Sequence, residues 1–245
     1  MADGLRVRDG GEGDQLLLLL HGLGATGDVW SGWAPLLERH WPGRWVAPDL
    51  PGHGGSAALP AYTFEALAEA VGPLVPPDGR TVVLGHSLGG VVALALAARR
   101  PVAAVIGLGI KVAWTADELS RAKGLAERPV AWFDSRDEAV ARHLRISGLA
   151  GLVAPDDPAA LGGVRAEDGR WRLALDQRAF GVGAPPMAAL VAGSPAPVTL
   201  ARGERDPMST GEQLAELGVP VVTLPGLGHN AHVESPQRCW SLLAA

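Results

Sequence analysis

The sequence has only one cysteine, Cys239, and aromatic residues make up just 5% of its 245 residues. A single cysteine excludes an intramolecular disulfide. Long apolar runs are missing near the N-terminus, where the longest, Leu16–Leu20, is too short to cross a bilayer. The opening stretch MADGLRVRDGGEGDQ also lacks the apolar segment of a signal peptide. We therefore expect a soluble, cytoplasmic protein.

Charge is also sparse, with 19% charged residues and a formal net charge of −5. This acidic balance argues against nucleic acid or an anionic membrane as a partner. No cluster of His or Cys residues has metal-ligand spacing, and the stretch HGLGATG lacks the Lys-Ser/Thr ending of a phosphate-binding loop. We expect no metal and no cofactor, a small-molecule substrate, and a monomer or homodimer.

What the sequence does contain is a series of short apolar runs, punctuated by 33 glycines and 20 prolines. The runs are rich in Val and Leu and do not alternate with polar residues, which is typical of strands buried on both faces of a parallel sheet. They read LLLLLH, RWVAPDL, TVVLGH, PVAAVIGLGI, PVTLARG and PVVTLPG, with a weak edge strand at LRVR before them. Helical patterns lie between the runs, such as DVWSGWAPLLERHW and TFEALAEAVGPLV. This alternation predicts an α/β fold with helices on both faces of a mostly parallel sheet.

The pattern changes between residues 111 and 191, which show no parallel-strand pattern. Within this region SRDEAVARHL predicts a helix whose capping box pairs Ser135 with Glu138. The stretch VRAEDGRWRLALD predicts a hairpin that turns at its Asp-Gly pair. We interpret residues 111–191 as a cap inserted into a core formed by residues 1–110 and 192–245.

Four residues of the predicted cap are candidates for the lining of a substrate pocket. Lys111 follows a predicted strand, so it can either contact a substrate or lie on the surface at a hinge. Trp114, Trp132 and Trp171 can line an apolar pocket, and packing within a small cap explains these three tryptophans equally well.

The stretch LGHSLGG places Ser87 between Gly85 and Gly89, after a predicted strand and before an apolar helix. This arrangement is typical of a sharp strand-to-helix turn that presents a nucleophilic serine, with the N–H of Leu88 aimed at a developing oxyanion. The alternative is a packed turn in which glycine only allows close contact between helix and sheet.

A serine hydroxyl needs a neighbouring base, and that base needs an orienting group. Asp206 follows the run PVTLARG, and His229 follows the next run, 23 residues later. Neighbouring parallel strands would bring both to the same edge of the sheet. The loop HGLG can present the N–H of Leu23 as a second oxyanion donor, or it can be a simple glycine-rich connection.

Together these segments resemble the α/β-hydrolase superfamily across essentially the whole chain. The matching stretches are LLLHGLGATGDVW, WVAPDLPGHGGS, LGHSLGG, ARGERDPM and GLGHNAHVESP. The resemblance implies Ser87 as nucleophile, Asp206 as acid and His229 as base, with Leu23 and Leu88 as oxyanion-hole donors. The N-terminal region supplies one strand where many members have two, so we expect about seven strands.

Two residues compete for roles in this triad. His232 lies three residues after His229, but the family pattern places the histidine directly after a glycine, here Gly228. Glu204 lies two residues before Asp206 and is its close competitor. His232 is expected to pack or hydrogen-bond beneath the loop.

Three other histidines and one aspartate are given supporting roles. His86 precedes the serine on its strand and is expected to point the opposite way, as a structural residue. His21 is expected to brace the oxyanion loop, and Asp49 and His53 to organise the loop APDLPGHG.

The resemblance implies a serine hydrolase that cleaves a small to medium-sized, largely apolar carboxylic ester through an acyl-enzyme. Hydrolysis of a carbon–carbon bond in a diketone, or of a lactone, is the alternative on the same triad. A ligand receptor with slow turnover is an alternative from another class.

Overall fold

A seven-stranded sheet forms the centre of the fold, seen in a computed structural model that describes residues 4–243. The strand order is β1-β3-β2-β4-β5-β9-β10, and every neighbouring pair is parallel except the edge pair β1–β3. The strands are β1 Val7–Gly10, β2 Leu16–Leu20, β3 Arg44–Pro48, β4 Thr81–His86, β5 Ala104–Leu108, β9 Val198–Gly203 and β10 Val221–Leu224. The predicted α/β fold, its seven strands and the weak edge strand are confirmed.

The five leucines of β2 explain why its sequence does not alternate. All five are fully buried, yet they divide between two hydrophobic clusters on opposite faces of the sheet. Leu16, Leu18 and Leu20 pack on one face, and Leu17 and Leu19 pack on the other. Because helices cover both faces, each position of this strand needs an apolar side chain.

Ten α-helices and four short 3₁₀ helices accompany the strands in residues 4–243. The α-helices are α1 Ala34–His40, α2 Phe64–Val71, α3 Leu88–Ala97, α4 Ala116–Ala126, α5 Arg136–Ile146, α6 Pro158–Leu161, α7 Met187–Ala192, α8 Gly211–Ala215, α9 Ala231–Glu234 and α10 Pro236–Trp240. The 3₁₀ helices are Gly27–Trp33, Gly72–Leu74, Gln177–Val182 and Ser241–Leu243. No helix in this part of the chain has the length and apolar character needed to span a membrane.

The predicted helix DVWSGWAPLLERHW is divided in the structure. A 3₁₀ helix occupies Gly27–Trp33, and the α-helix begins only at Ala34. Pro35 stands in the first turn of α1, where its missing N–H costs nothing, whereas inside a longer helix it would remove a hydrogen bond. The prediction of one continuous helix is therefore wrong at this proline.

The region between β5 and β9 contains a second, three-stranded antiparallel sheet of order β6-β8-β7. Its strands are β6 Trp132–Phe133, β7 Val164–Glu167 and β8 Arg170–Leu173. The predicted hairpin is present, and its turn places Asp168 and Gly169 at φ values of 51° and 77°. An Asp-Gly pair is well suited to these two left-handed positions.

The helix predicted from SRDEAVARHL is also present, as α5, but its capping is only half as expected. Ser135 Oγ accepts a bond from the N–H of Glu138, and the structure shows no reciprocal bond from Glu138 between these two described residues. Glu138 is exposed, so water competes for its carboxylate. A complete capping box forms instead at α4, between Thr115 and Glu118.

Candidate active site

Ser87 lies at a strained turn between β4 and α3. Its φ is 50° and its ψ is −116°, and among the described residues only Asp168 is another non-glycine with positive φ. Such a conformation costs about 1–3 kcal/mol and persists only where the surrounding structure enforces it. The enforcement comes from Gly85 and Gly89: a Cβ on Gly85 would overlap the backbone of Gly89, and one on Gly89 would overlap the carbonyl of Leu20. Only glycine fits at these two positions.

The loop after β2 lies directly against Ser87. A Cβ on Gly22 would approach to 3.4 Å from Ser87 Cβ. His21 holds this loop with both ring nitrogens, since Nδ1 donates to the carbonyl of Gly22 at 2.8 Å and Nε2 accepts from the N–H of Leu50 at 2.8 Å. Burial lowers the pKa of His21 to about 4, so the ring is neutral and can both donate and accept. His21 therefore braces the loop, in the place expected for it.

Leu23 and Leu88 belong to the two backbone segments that adjoin Ser87. Leu23 follows Gly22 in the braced loop, and Leu88 is the first residue of α3, where helical N–H groups have no partner within the helix. Neither N–H donates a hydrogen bond to another group in residues 4–243. Both residues line the same cavity as Ser87.

Asp206 and His229 meet at the carboxyl ends of β9 and β10. His229 Nδ1 lies 3.1 Å from both carboxylate oxygens of Asp206, whose side chain is fully buried. The N–H of Met208 donates to Asp206 Oδ1 at 2.9 Å and fixes the carboxylate. An acceptor at Nδ1 holds the proton there and leaves Nε2 of His229 free to accept one.

His86 connects this pair to the turn that carries the serine. Its Nε2 donates to the carbonyl of His229 at 2.9 Å, and the two ring centroids are 4.7 Å apart. Because His86 is the chain neighbour of Ser87, the bond holds the loop of His229 beside the serine. Between these two described residues the structure has no hydrogen bond from Ser87 Oγ to His229. Catalytic hydrogen bonds commonly tighten only in the complex with substrate.

The contact between His86 and His229 is one that sequence reasoning missed. Alternation along β4 predicts that consecutive side chains point to opposite faces, and this suggested that His86 lies away from the site. The ring instead packs between those of His229 and His232, with centroid distances of 4.7 and 4.2 Å. Burial keeps the pKa of His86 well below its usual value, so the ring stays neutral.

The two competitors for the triad lie in other environments. The exposed Glu204 accepts a bond from the N–H of Gly226 at 2.7 Å and is not the partner of the histidine. His232 is buried between His86 and Trp30, whose centroid is 4.7 Å away, and burial lowers its pKa to about 3. His232 thus packs beneath the loop, as expected.

Asp49 organises the loop after β3 as the sequence suggests. Its buried carboxylate accepts bonds from the N–H groups of Gly27 and Gly55 at 2.8 and 2.9 Å, and it also pairs with Arg6 at 3.1 Å. His53 supports the same loop through a contact between Nδ1 and the carbonyl of Pro51 at 3.1 Å.

A cavity of about 620 Å³ opens beside Ser87 and is lined mostly by apolar side chains. Two predicted lining residues, Lys111 and Trp114, are part of its wall. Lys111 Nζ lies 2.7 Å from Glu118 Oε1 and 5.2 Å from the centroid of the Trp114 ring. The hydrogen bond from Lys111, followed by one from the backbone of Thr115, lowers the pKa of Glu118 to about 2. The wall therefore combines an apolar surface with this ion pair and two further basic residues, Arg121 and Lys123.

The other two tryptophans do not line this cavity, and that part of the prediction is corrected. Trp132 and Trp171 belong to the three-stranded sheet. Trp132 pairs with Arg172, so these two side chains share a face. Trp171 is the chain neighbour of Arg172 in β8 and therefore lies on the opposite face. Trp132 is covered by the guanidinium groups of Arg170 and Arg172, at 6.0 and 5.7 Å from its centroid. All three strands of this sheet contact α5. Both side chains serve the small sheet.

No three His, Cys, Asp or Glu side chains within residues 4–243 are arranged to hold a metal ion. The site thus combines the Asp206–His229 pair, a serine on a strained turn and a largely apolar cavity that Leu23 and Leu88 also line.

Comparison of the sequence with known protein families identifies the family of this chain. The sequence model described as "Alpha/beta hydrolase family" matches residues 17–242, and the chain belongs to this family. It is 45% identical over 91 residues to a pimeloyl-[acyl-carrier protein] methyl ester esterase of Klebsiella pneumoniae subsp. pneumoniae, covering 37% of this chain and 34% of that protein. It is 37% identical over 153 residues to lipase LipV of Mycobacterium tuberculosis, covering 60% and 56%. These matches span from about a third to just over half of the length of the relatives.

Solved structures resemble the whole chain. The thioesterase domain from the curacin biosynthetic pathway aligns with a TM-score of 0.79 at 20% identity, covering 98% of this chain and 95% of that domain. E-2-(acetamidomethylene)succinate hydrolase aligns with a TM-score of 0.79 at 22% identity, covering 98% and 93%. At this level of identity the likeness establishes the fold alone.

Proposed function

We propose that the protein is a serine hydrolase that cleaves a small to medium-sized, largely apolar carboxylic ester. The observation behind this proposal is the pairing of His229 with a buried Asp206 beside Ser87, whose strained turn opens onto an apolar cavity. An esterase and a lipase among the sequence relatives support the same class of reaction.

In the proposed reaction His229 Nε2 takes the proton of Ser87 Oγ as this oxygen attacks the ester carbonyl. His229 then donates the proton to the departing alcohol, which leaves an acyl group on Ser87. Water activated by the same nitrogen releases the acid and restores the serine. Asp206 keeps the second proton of the ring on Nδ1 throughout and stabilises the imidazolium that forms.

The tetrahedral intermediate carries a negative oxygen that needs fixed donors. We assign this role to the N–H groups of Leu23 and Leu88, each of which should contribute about 2.7–4 kcal/mol to the lowering of the barrier. Leu88 also stands at the N-terminus of α3, where the helix dipole favours negative charge.

We assign the choice of substrate to a cap formed by residues 111–191, set on a core of residues 1–110 and 192–245. The cap supplies α4 and the 3₁₀ helix Gln177–Val182 to the wall of the cavity, to which the core contributes Leu23, Ser87 and Leu88. A volume of about 620 Å³ lies within the usual range for small-molecule sites. The apolar wall favours an acyl chain, and the Lys111–Glu118 pair can contact a polar end.

The decisive experiment is hydrolysis of p-nitrophenyl esters of increasing acyl length by the parent protein and by Ser87→Ala. We expect many turnovers in the parent and a loss of kcat of about 10⁶-fold in the variant, because the triad acts as a unit. Ser120→Ala, an exposed serine on α4, is the matched control and should keep the parental rate.

Other outcomes of this assay would contradict the proposal in distinguishable ways. Equal rates for Ser87→Ala and the parent would place the chemistry elsewhere. Release of one equivalent of nitrophenol followed by arrest would favour a receptor with slow turnover. Turnover of lactones or diketones, with none of the esters, would keep the triad and replace the substrate class.

A further inference from the structure

A second cavity, of about 900 Å³, lies apart from the triad. Its wall is formed by the chain at residues 4–6, the loop after β3, the segment after α4 and the three-stranded sheet. Ser87, Asp206 and His229 are not among its lining residues. This cavity is defined by a concentration of arginine side chains, which is unusual in a chain of net charge −5.

The register of the three-stranded sheet gathers charge on one face. Arg165 of β7 stands directly opposite Arg172 of β8, and Glu167 stands opposite Arg170. Paired residues of antiparallel strands share a face, so these four side chains lie together. The other face is apolar and carries the pairs Val164–Leu173 and Ala166–Trp171.

Two like charges directly opposite each other destabilise a strand pair. Arg165 and Arg172 share one carboxylate, that of Glu167, at 3.6 and 2.5 Å from their Nε atoms. The side chain of Arg172 is only 14% exposed, so little water is available to screen it. Two guanidinium groups thus share one carboxylate, and one of the two positive charges has no negative partner.

Two other arginines of the cavity, Arg6 and Arg178, have carboxylate partners of their own. Arg6 pairs with Asp28 and Asp49, and Arg178 pairs with Asp176 through several hydrogen bonds. These two charges are therefore compensated.

Arg128 also lines the cavity and makes no ion pair with a residue in the described part of the chain. Of the arginines Arg128, Arg165 and Arg172, only the last two pair with a carboxylate, and they share that of Glu167. This leaves an excess of two positive charges.

We propose that this cavity binds the dianion of a phosphate or phosphate monoester, held by Arg128, Arg165 and Arg172. Guanidinium groups present paired N–H donors that match phosphate oxygens, and a dianion cancels the excess charge. Val130, which is 44% exposed, and Pro129 offer an apolar surface beside it for an organic group. The proposal does not depend on the ester hydrolase activity.

The test is calorimetric titration of the full chain with inorganic phosphate and with phenyl phosphate, at constant ionic strength. We expect saturable binding at one site. Similar affinities for the two probes would identify free phosphate as the ligand, whereas much tighter binding of phenyl phosphate would identify a phosphorylated organic molecule. Absence of saturable binding by both probes would overturn the proposal.

Substitutions assign the binding to these residues. Arg165→Gln should weaken binding about tenfold or more, as expected for the loss of charge-assisted hydrogen bonds, and Arg165→Lys should restore part of it. Arg145→Gln, at an exposed arginine of α5 outside the cavity, should leave the affinity unchanged. Equal weakening by Arg145→Gln and Arg165→Gln would show a nonspecific charge effect and overturn the assignment.

Glu167→Gln provides a test of opposite sign. Removing the carboxylate that competes for Arg165 and Arg172 should tighten phosphate binding, and phosphate should then raise the melting temperature more than in the parent. If Glu167 serves only to hold the hairpin together, the variant will bind phosphate no better than the parent, and the proposal fails.

Discussion

The helices α3 and α4 flank the same cavity but are built in opposite ways. All ten residues of α3 are buried, and its first turn holds Ser87 in a conformation that few residues adopt. In α4 no residue is fully buried, and this helix lies against the 3₁₀ helix Gln177–Val182. A reacting group needs a rigid support, whereas a wall that only encloses a substrate can be held by fewer contacts. The side chains whose positions are fixed most tightly therefore lie on the sheet side of the cavity.

After the loss of the serine itself, the largest effect should come from the acid on the sheet side. Asp206→Asn keeps the shape of the site but can donate to His229 Nδ1, which favours the wrong tautomer of the ring. We expect kcat for a p-nitrophenyl ester to fall about 10⁴-fold, with little change in KM. Glu204→Gln is the matched control and should leave kcat unchanged. An equal fall of kcat in both variants would contradict the assignment of Asp206 as the acid that pairs with His229.

The next effect concerns the stability of the turn. Gly89→Val would force side-chain atoms into the backbone of Leu20 and His21, so the helix must move away from the sheet. We expect a loss of about 3 kcal/mol in the free energy of unfolding, measured by urea denaturation. A loss below 1 kcal/mol, with activity retained, would show that the helix can move away from the sheet at little cost.

Acid should weaken the sheet side because its histidines are buried and neutral. Burial lowers the pKa of His21 to about 4 and those of His53 and His232 to about 3, from a normal value of 6.5. Below pH 6.5 the unfolded chain binds protons that the folded chain does not. Stability is therefore full above pH 6.5 and falls as the pH drops toward 4, by up to about 1.4 kcal/mol per pH unit for each histidine.

Denaturation curves between pH 7 and pH 4 measure this slope. His232→Gln should have a shallower pH dependence than the parent. An unchanged slope in the His232 variant would mean that its ring does not remain neutral in the folded protein.

The smallest effect belongs to α4 and has the opposite sign. Gly124 lies inside this helix, and a Cβ placed there would meet no atom within 4 Å. Gly124→Ala should therefore stabilise the protein by about 0.5–1 kcal/mol through helix propensity. Thermal denaturation checks this, and a destabilised variant would show that α4 is packed as tightly as α3.

The elements of the central sheet could be predicted from the sequence alone. The buried strands were predictable because each apolar run is enclosed by glycine or proline and covered on both faces. The meeting of Asp206 with His229 was predictable because parallel strands end at one edge. Pro35 and the Thr-x-x-Glu pattern at Thr115 are further signs of a helix start that the sequence contains.

Side-chain contacts between distant segments were not predictable in the same way. The position of Trp132 depends on the pairing of β6 with β8, nearly forty residues further along the chain. The contact of His86 with His229 depends on how a loop 143 residues away folds over the strand. Periodicity reports which side chains share a face of one element and carries no information about the neighbour.

The fully buried strand β2 has a consequence for local motion. It lies inside the sheet between β3 and β4, and the hydrogen bonds of its backbone open only when the central sheet separates. Its amide hydrogens should exchange with solvent deuterium at the rate of global unfolding, whereas those of α4 should exchange through local opening. The exchange rates of the amide hydrogens of these five consecutive leucines therefore measure the free energy of global unfolding.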